Sequence, residues 1–121
     1  MAEKKSILIV EDDADLRFIF GEAVKQEGYD ILRARSVDEA VKILSFDKPA
    51  LILLDMNMPD ASGLTLLEYM NENELSDIQV VVVSANEYYQ PKAAQLGVEF
   101  FLIKPVSIQE LAVLAKRLLS A

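Results

Sequence analysis

Four short runs of unbroken apolar side chains, Ile7 to Val10, Leu51 to Leu54, Val80 to Val83 and Phe100 to Ile103, recur along a chain of 121 residues. A half-solvated strand or an amphipathic helix needs a polar face. A run that lacks one suits a strand covered on both sides, as in a parallel sheet. The segment Tyr29 to Ala34 is more polar and reads as a fifth strand at the sheet edge.

Between the runs the period changes to that of a helix. Leu16, Phe18, Ile19, Phe20, Ala23 and Val24 recur at helical spacing, and the pattern stops at Gly28, which reads as the C′ residue, where a left-handed backbone costs little. Ser36 with Glu39 and Ser107 with Glu110 each form an S-x-x-E capping box. Helical patterns follow both: Val37, Ala40, Val41 and Leu44, then Leu111, Leu114, Ala115 and Leu118. A third helix is predicted after Gly63, burying Leu64, Leu66, Leu67 and Met70, and a fourth ahead of Gly97. Strict strand–helix alternation predicts a three-layer α/β domain with a five-stranded parallel sheet and right-handed crossovers. No linker, low-complexity stretch or internal repeat interrupts it, so residues 1–121 read as a single domain.

Composition removes several chemistries. There is no cysteine and no histidine, which excludes disulfides, thiol chemistry, an imidazole base and a phosphohistidine on the chain itself. Twelve basic against 20 acidic side chains leave a net charge of −8, which opposes direct binding of nucleic acid. No segment approaches the ~20 apolar residues that span a bilayer, and the N-terminus carries no signal-peptide pattern. A soluble, cytoplasmic protein with no membrane partner is the expectation.

In an open parallel sheet, ligands bind beyond the carboxyl ends of the strands. Glu11, Asp12 and Asp13 follow Val10, Asp55 follows Leu54, Ser84 follows Val83, and Lys104 with Pro105 follows Ile103. Any one of these alone is an ordinary strand end or helix cap. Together they converge on a single edge. Two carboxylates ~5 Å apart repel by about 3 kcal/mol at an effective dielectric of 20, so a fold keeps such a cluster more readily with a cation in it. Oxygen ligands in this number suit Mg²⁺. A cation, a hydroxyl and Mg²⁺ around one carboxylate are the surroundings a phosphoryl group requires, which makes Asp55 a candidate nucleophile.

The segments ILIVEDDADLR (Ile7 to Arg17), LILLDMNMPDASG (Leu51 to Gly63), VVVSA (Val81 to Ala85) and FLIKP (Phe101 to Pro105) resemble the receiver domains of two-component response regulators, in the family's order and nearly its spacing. The resemblance covers essentially the whole chain. It implies a flavodoxin-like (βα)5 fold with strand order 2-1-3-4-5. It also implies that Asp55 is the phosphoacceptor and Asp12 a direct Mg²⁺ ligand. Glu11 would act on the metal through water, and Asn57 would coordinate it through its backbone carbonyl. Ser84 resembles the switch hydroxyl, Lys104 the lysine that pairs with the phosphoryl group, and the Lys104–Pro105 bond is expected to be cis. Asp13 stays outside the metal shell, in a capping or solvated role. Gly63 reads as a permissive backbone at the start of the third helix.

The chain departs from the family in two places. The switch aromatic is Phe101 where many relatives have Tyr, so it cannot donate a hydroxyl hydrogen bond. The segment from Ser84 to Gly97 is about two residues shorter than usual and contains Pro91, which predicts a short or displaced fourth helix beginning near Tyr89 to Pro91. Phe101 and Ile103 are expected in the core, with Phe100 open between core and surface.

The resulting expectation is a phosphorylation-controlled switch. A sensor histidine kinase or histidine phosphotransfer protein supplies the phosphoryl group, and a downstream protein effector reads the face made by helix 4, strand 5 and helix 5. A weak homodimer is a further candidate. Catalysis extends only to the domain's own aspartyl phosphorylation and dephosphorylation. Two rivals remain. A Mg²⁺-dependent phosphohydrolase with an Asp nucleophile, of the haloacid-dehalogenase type, would need a second acid where Asn57 stands. A receiver-like interaction module that is not phosphorylated would more often have lost the acids or the lysine. Both a complete single-domain regulator and a receiver belonging to a longer protein fit the sequence.

Overall fold

A computed structural model describes residues 5–120. The elements alternate as β1 (Lys5–Val10), α1 (Ala14–Val24), β2 (Tyr29–Ala34), α2 (Val37–Leu44), β3 (Leu51–Leu54), α3 (Gly63–Glu72), β4 (Gln79–Ser84), α4 (Gln90–Gln95), β5 (Phe100–Ile103) and α5 (Ile108–Leu119), with a 3-10 turn at Glu87–Tyr89 leading into α4. The five strands form one parallel sheet in the order β2-β1-β3-β4-β5. The flavodoxin-like expectation holds, with the more polar Tyr29–Ala34 strand on an edge.

Alternation along each strand explains why the apolar runs have no polar interruption. Leu8, Val10, Ile52, Leu54 and Val82 face one side and pack with Ala40, Leu44, Leu66, Leu67, Met70 and Ala93 from α2, α3 and α4. Ile7, Ile9, Leu51, Leu53, Val81 and Val83 face the other and pack with Phe20, Val24, Leu111 and Ala115 from α1 and α5. Each fully buried Val, Leu or Ile contributes roughly 1.5–3 kcal/mol, so the three inner strands β1, β3 and β4 anchor both layers. Among the described residues, no helix is long and apolar enough to cross a membrane.

Local signals specify most helix ends. Ser36 and Ser107 cap α2 and α5 by accepting from the amides of Glu39 and Glu110 at 3.1 and 3.2 Å. The return half of the first capping box is redirected. The Glu39 carboxylate accepts from the Arg35 amide and guanidinium, at 3.0 and 3.1 Å, because arginine just outside the helix offers both donors. At the end of α4, Gly97 adopts φ +96°, and the bonds from Val98 N to Ala93 O and from Gly97 N to Ala94 O, both 3.0 Å, close a Schellman motif. Helix α4 is as short as Pro91 predicts, and Pro91 lies in its first turn, where no amide hydrogen is missed.

Three expectations need correction. Helix α1 ends at Val24, and Gly28, although left-handed at φ +87°, serves the turn into β2 rather than the helix C′ position. On the same helix Phe18 and Ile19 point outward, while Phe20, Gly21 and Val24 form the buried stripe. Ile103 is exposed rather than in the core, because β5 is the other edge of the sheet and pairs only with β4. Phe100 and Phe101 are both half-buried, on opposite faces of β5.

Candidate functional site

The loops after β1, β3, β4 and β5 meet at the carboxyl edge of the sheet. Val10 pairs in register with Leu54, Leu54 with Val82, and Ser84 with Ile103, so the residues that follow reach the rim at nearly one level. The ladder continues one bond past the strand ends. Glu11 N donates to Ala34 O at 3.0 Å, Asp55 N to Val10 O at 3.0 Å, and Lys104 N to Ser84 O at 2.9 Å. The backbone of each is therefore tied to the neighbouring strand. Chain order turns from β2 on one side of β1 to β3 on the other at this same edge, where an open α/β sheet leaves its crevice.

Side-chain oxygens of Glu11, Asp12 and Asp55 all lie within 4.8 Å of one another. Asp12 is exposed, whereas Glu11 and Asp55 are buried, with side chains only 3% and 7% accessible. Burying charged carboxylates this way without a cation would cost several kcal/mol. Lys104 supplies one. Its ammonium lies 2.8 Å from Glu11 Oε1 and 3.4 Å from Asp55 Oδ2, and its side chain is four-fifths buried. Burial opposes the lysine's charge, but the hydrogen bond to Glu11 and the charges of Asp55 and Glu11 outweigh it, so its pKa stands above the ordinary lysine value. Burial also pushes the Glu11 carboxyl up, against the pull of Lys104 and of the Asp13 amide.

The other oxygens are spoken for by backbone donors. Glu11 Oε2 accepts from Asp13 N and Asp55 Oδ1 from Asn57 N, both at 3.2 Å, which leaves Asp55 Oδ2 turned toward the lysine. Ser84 is fully buried, and its Oγ accepts from Asn86 N at 3.2 Å. Phe101 pairs in register with Val82, two residues before Ser84, so it shares the Ser84 face of the sheet. Asp13 caps α1 by accepting from Leu16 N at 3.0 Å and stays out of the cluster. The Lys104–Pro105 peptide is cis.

Gly63 is needed for a different reason from the one expected. Its φ is not left-handed. A Cβ there would stand 2.8 Å from the Asp55 carbonyl oxygen and 3.1 Å from Met56 Cα, so it is the close approach of α3 to the backbone beside the cluster that requires glycine.

Sequence reasoning passed over two residues. Arg17 donates from Nη1 to the carbonyls of Glu11 and Asp12, at 2.8 and 3.2 Å, and so holds the acidic loop from behind. A basic residue in the early turns of a helix opposes the helix dipole, and that anomaly was readable in the sequence. Asp60 reaches the start of α2, which no local pattern reveals.

The model of the response regulator receiver domain matches residues 7–116. The chain belongs to this family. It is 33% identical over 118 residues to the phosphate regulon transcriptional regulatory protein PhoB of Pseudomonas aeruginosa, covering 95% of this chain and 52% of that protein. It is also 32% identical over 107 residues to the polar-differentiation response regulator DivK of Brucella anthropi, covering 86% and 87% of the two chains. The chain thus spans about half the length of the first relative and most of the second. A response regulator receiver protein from Pseudomonas putida superposes with a TM-score of 0.84 at 29% identity, covering 97% of this chain and 99% of that one. Receiver domains are phosphorylation-controlled signalling switches that work with sensor kinases and effectors and bind Mg²⁺ in an acidic pocket. The donor set here fits such an ion: three carboxylates lie in reach of one another, and two of them, Glu11 and Asp55, already share a positive charge.

Proposed function

We propose that this receiver accepts a phosphoryl group on Asp55 from the phosphohistidine of a sensor histidine kinase or histidine phosphotransfer protein. The observation that carries the reading is the Lys104 ammonium seated between Glu11 and Asp55 at the carboxyl edge of the sheet. Glu11, Asp12 and Asp55 are the groups that would hold Mg²⁺, joined by the backbone carbonyl of Asn57 as the family resemblance implies. When bound, that ion supplies charge neutralisation at the transferring phosphoryl oxygens.

The chain's own residues do the rest. Asn57 N–H fixes Asp55 Oδ1, leaving Oδ2 as the attacking oxygen. An O–P bond forms there as the N–P bond to the partner's imidazole breaks, the electron pair going to the ring nitrogen. Lys104 needs only to follow its Asp55 contact outward to meet the new phosphoryl oxygens, where a lysine acts as a point charge. The Ser84 hydroxyl can donate to one of them. Attack of water on phosphorus later breaks the Asp55 O–P bond, releasing inorganic phosphate and restoring the carboxylate. The domain thus acts on its own phosphorylation state, and its product is a signal. The two-residue offset from Asp55 carries Asn57, whose amide neither gives nor takes a proton, which disfavours turnover of phosphate esters.

Ser84 also links the site to the output face. Its Oγ holds the Asn86 amide, and Asn86 Oδ1 in turn caps the turn that starts α4 at Tyr88 N, 2.9 Å away. Donation of the Ser84 O–H to a phosphoryl oxygen leaves its lone pairs free to accept from Asn86 N, so a shift of the hydroxyl toward the phosphoryl group carries the Asn86 turn with it and biases the α4–β5–α5 face, which a downstream protein effector reads. An apolar groove of about 450 Å³ lies beside Lys104, lined by Leu16, Ile19, Phe20, Pro105, Val106 and Ile108, and offers the phosphodonor protein a surface next to the reacting carboxylate.

Mass spectrometry after incubation with acetyl phosphate and Mg²⁺ tests the assignment. The wild type should gain one phosphoryl group and Asp55→Ala none. An adduct retained by Asp55→Ala would overturn the site.

A further inference from the structure

Residues 55–62, between β3 and α3, form a small closed loop. Its base is pinned where Gly63 N donates to Met56 O at 2.8 Å and where Asn57 bridges Ser62 in antiparallel fashion. Its tip does not hang in solvent. The Asp60 carboxylate crosses to the start of α2, where Oδ1 accepts from Val37 N at 3.1 Å and Oδ2 from Asp38 N at 2.9 Å. These are the first two amides of the helix, which an α-helix cannot satisfy internally. The third, Glu39 N, is taken by Ser36 Oγ at 3.1 Å. The helix start is therefore saturated by one local cap and one remote carboxylate. The Asp38 amide, with lesser help from Val37, holds the Asp60 carboxyl below the ordinary aspartate range.

Position in the loop gives this contact its consequence. Asp60 is three residues beyond Asn57 and five beyond Asp55, and Pro59 stiffens the chain just before it. Followed around the rim, the links close into a ring. Asp55 N bonds Val10 O, Glu11 N bonds Ala34 O, two residues lead from Ala34 to the start of α2, and Asp60 returns from α2 to the loop that carries Asp55. The first two links are sheet ladder. The last is a side chain, so it is the link that a substitution can remove without breaking the sheet. Met58 and Ala61 pack the loop against the α2–α3–α4 core, and among the described bonds Asp60 makes the only side-chain hydrogen bonds from residues 56–62 to another element.

We propose that Asp60 is a positioning residue: by tying the tip of the β3–α3 loop to the first turn of α2, it sets the Asn57 carbonyl and Asp55 carboxylate toward the acidic cluster and thereby tunes its affinity for a divalent cation. This rests on the reading of the cluster as a Mg²⁺ site. It makes the start of α2 part of the metal-binding frame although no residue of α2 touches the cluster. Asp60 does so from an exposed position, where a carboxylate is otherwise a solvated surface group.

Calorimetric titration of MgCl₂ into the wild type, Asp60→Ala, Asp60→Asn and Ser36→Ala tests this, with urea unfolding in EDTA recorded for each. Removing outer partners of metal ligands commonly weakens binding 10–100-fold; Asp60 is further out, so Asp60→Ala should weaken Mg²⁺ by about threefold to tenfold. Asp60→Asn keeps one acceptor oxygen and should recover part of the loss. Ser36→Ala removes a cap bond from the same helix without touching the loop. It should lower the urea midpoint comparably while leaving the Mg²⁺ Kd within about twofold of wild type. An Asp60→Ala variant that binds Mg²⁺ like the wild type would overturn the proposal, and so would a Ser36→Ala variant weakened as much as Asp60→Ala. A wild type that binds no Mg²⁺ would instead sink the metal-site reading and this inference with it, so the two failures are told apart by the wild-type titration.

Discussion

Replacing Lys104 with methionine keeps most of the side chain's bulk and removes its charge. In the metal-free protein that charge faces Glu11 at 2.8 Å and Asp55 at 3.4 Å. At an effective dielectric of 20 each contact is worth about 5–6 kcal/mol before desolvation is subtracted. The net loss on leaving both carboxylates buried without a partner is smaller, about 3 kcal/mol, since the ammonium keeps a fifth of its surface in water and Glu11, already pushed up by burial, can take a proton. For a domain of this size that lowers Tm by roughly 10 °C in EDTA. The opposite sign is expected for metal affinity. An incoming divalent cation must displace or share the pocket with the wild-type lysine, but meets no such competitor in Lys104→Met. If about 2 kcal/mol of the pair is given up on binding, the variant should bind Mg²⁺ roughly thirtyfold more tightly. Saturating MgCl₂ should then close most of the stability gap. Urea unfolding in EDTA and in MgCl₂, with calorimetric titration of the ion, measures all three quantities. Equal stability of the two proteins in EDTA, or weaker Mg²⁺ binding by the variant, would refute the view of Lys104 as the cluster's internal counter-ion.

Two further outcomes follow from the same geometry. Gly63→Ala sets a methyl group against the Asp55 carbonyl and the Met56 backbone and should cost about 1–3 kcal/mol, read as a lower urea midpoint; an unchanged midpoint would mean that α3 can slide away from the cluster at no cost. Because the folded pKa of Lys104 is raised, the stability it contributes is fully present below its unfolded value of about 10.4 and is lost as pH rises through the folded one. The difference in unfolding free energy between wild type and Lys104→Met in EDTA should therefore be flat from about pH 8 to 10 and shrink above it. A difference that grows above pH 10 would contradict the sign.

What was legible in this chain is what neighbours in sequence impose on one another. The apolar runs, the serine caps at Ser36 and Ser107, Gly97 and Pro91 mark strands, helix starts, a helix end and a short α4, because each acts within about a turn of helix or a strand's length. The acids after β1 and β3, the Ser84 hydroxyl and Lys104 were equally visible, since strand ends in a parallel sheet share one edge. The sequence alone placed Lys104 at the same edge as the acids but paired it with an incoming phosphoryl group, not with the acids themselves. The folded chain provides a cation of its own: Lys104 reaches Glu11 across 93 residues and Asp55 across 49. Likewise, Ile103 is exposed because β5 is an edge, Gly63 is required because α3 passes close to the Asp55 backbone, and Asp60 meets α2 from 22 residues away. Local propensities determine which elements form and where they stop. Which charges then face each other depends on the order in which crossovers lay the strands side by side, and that order is a property of the packed sheet and not of any segment within it.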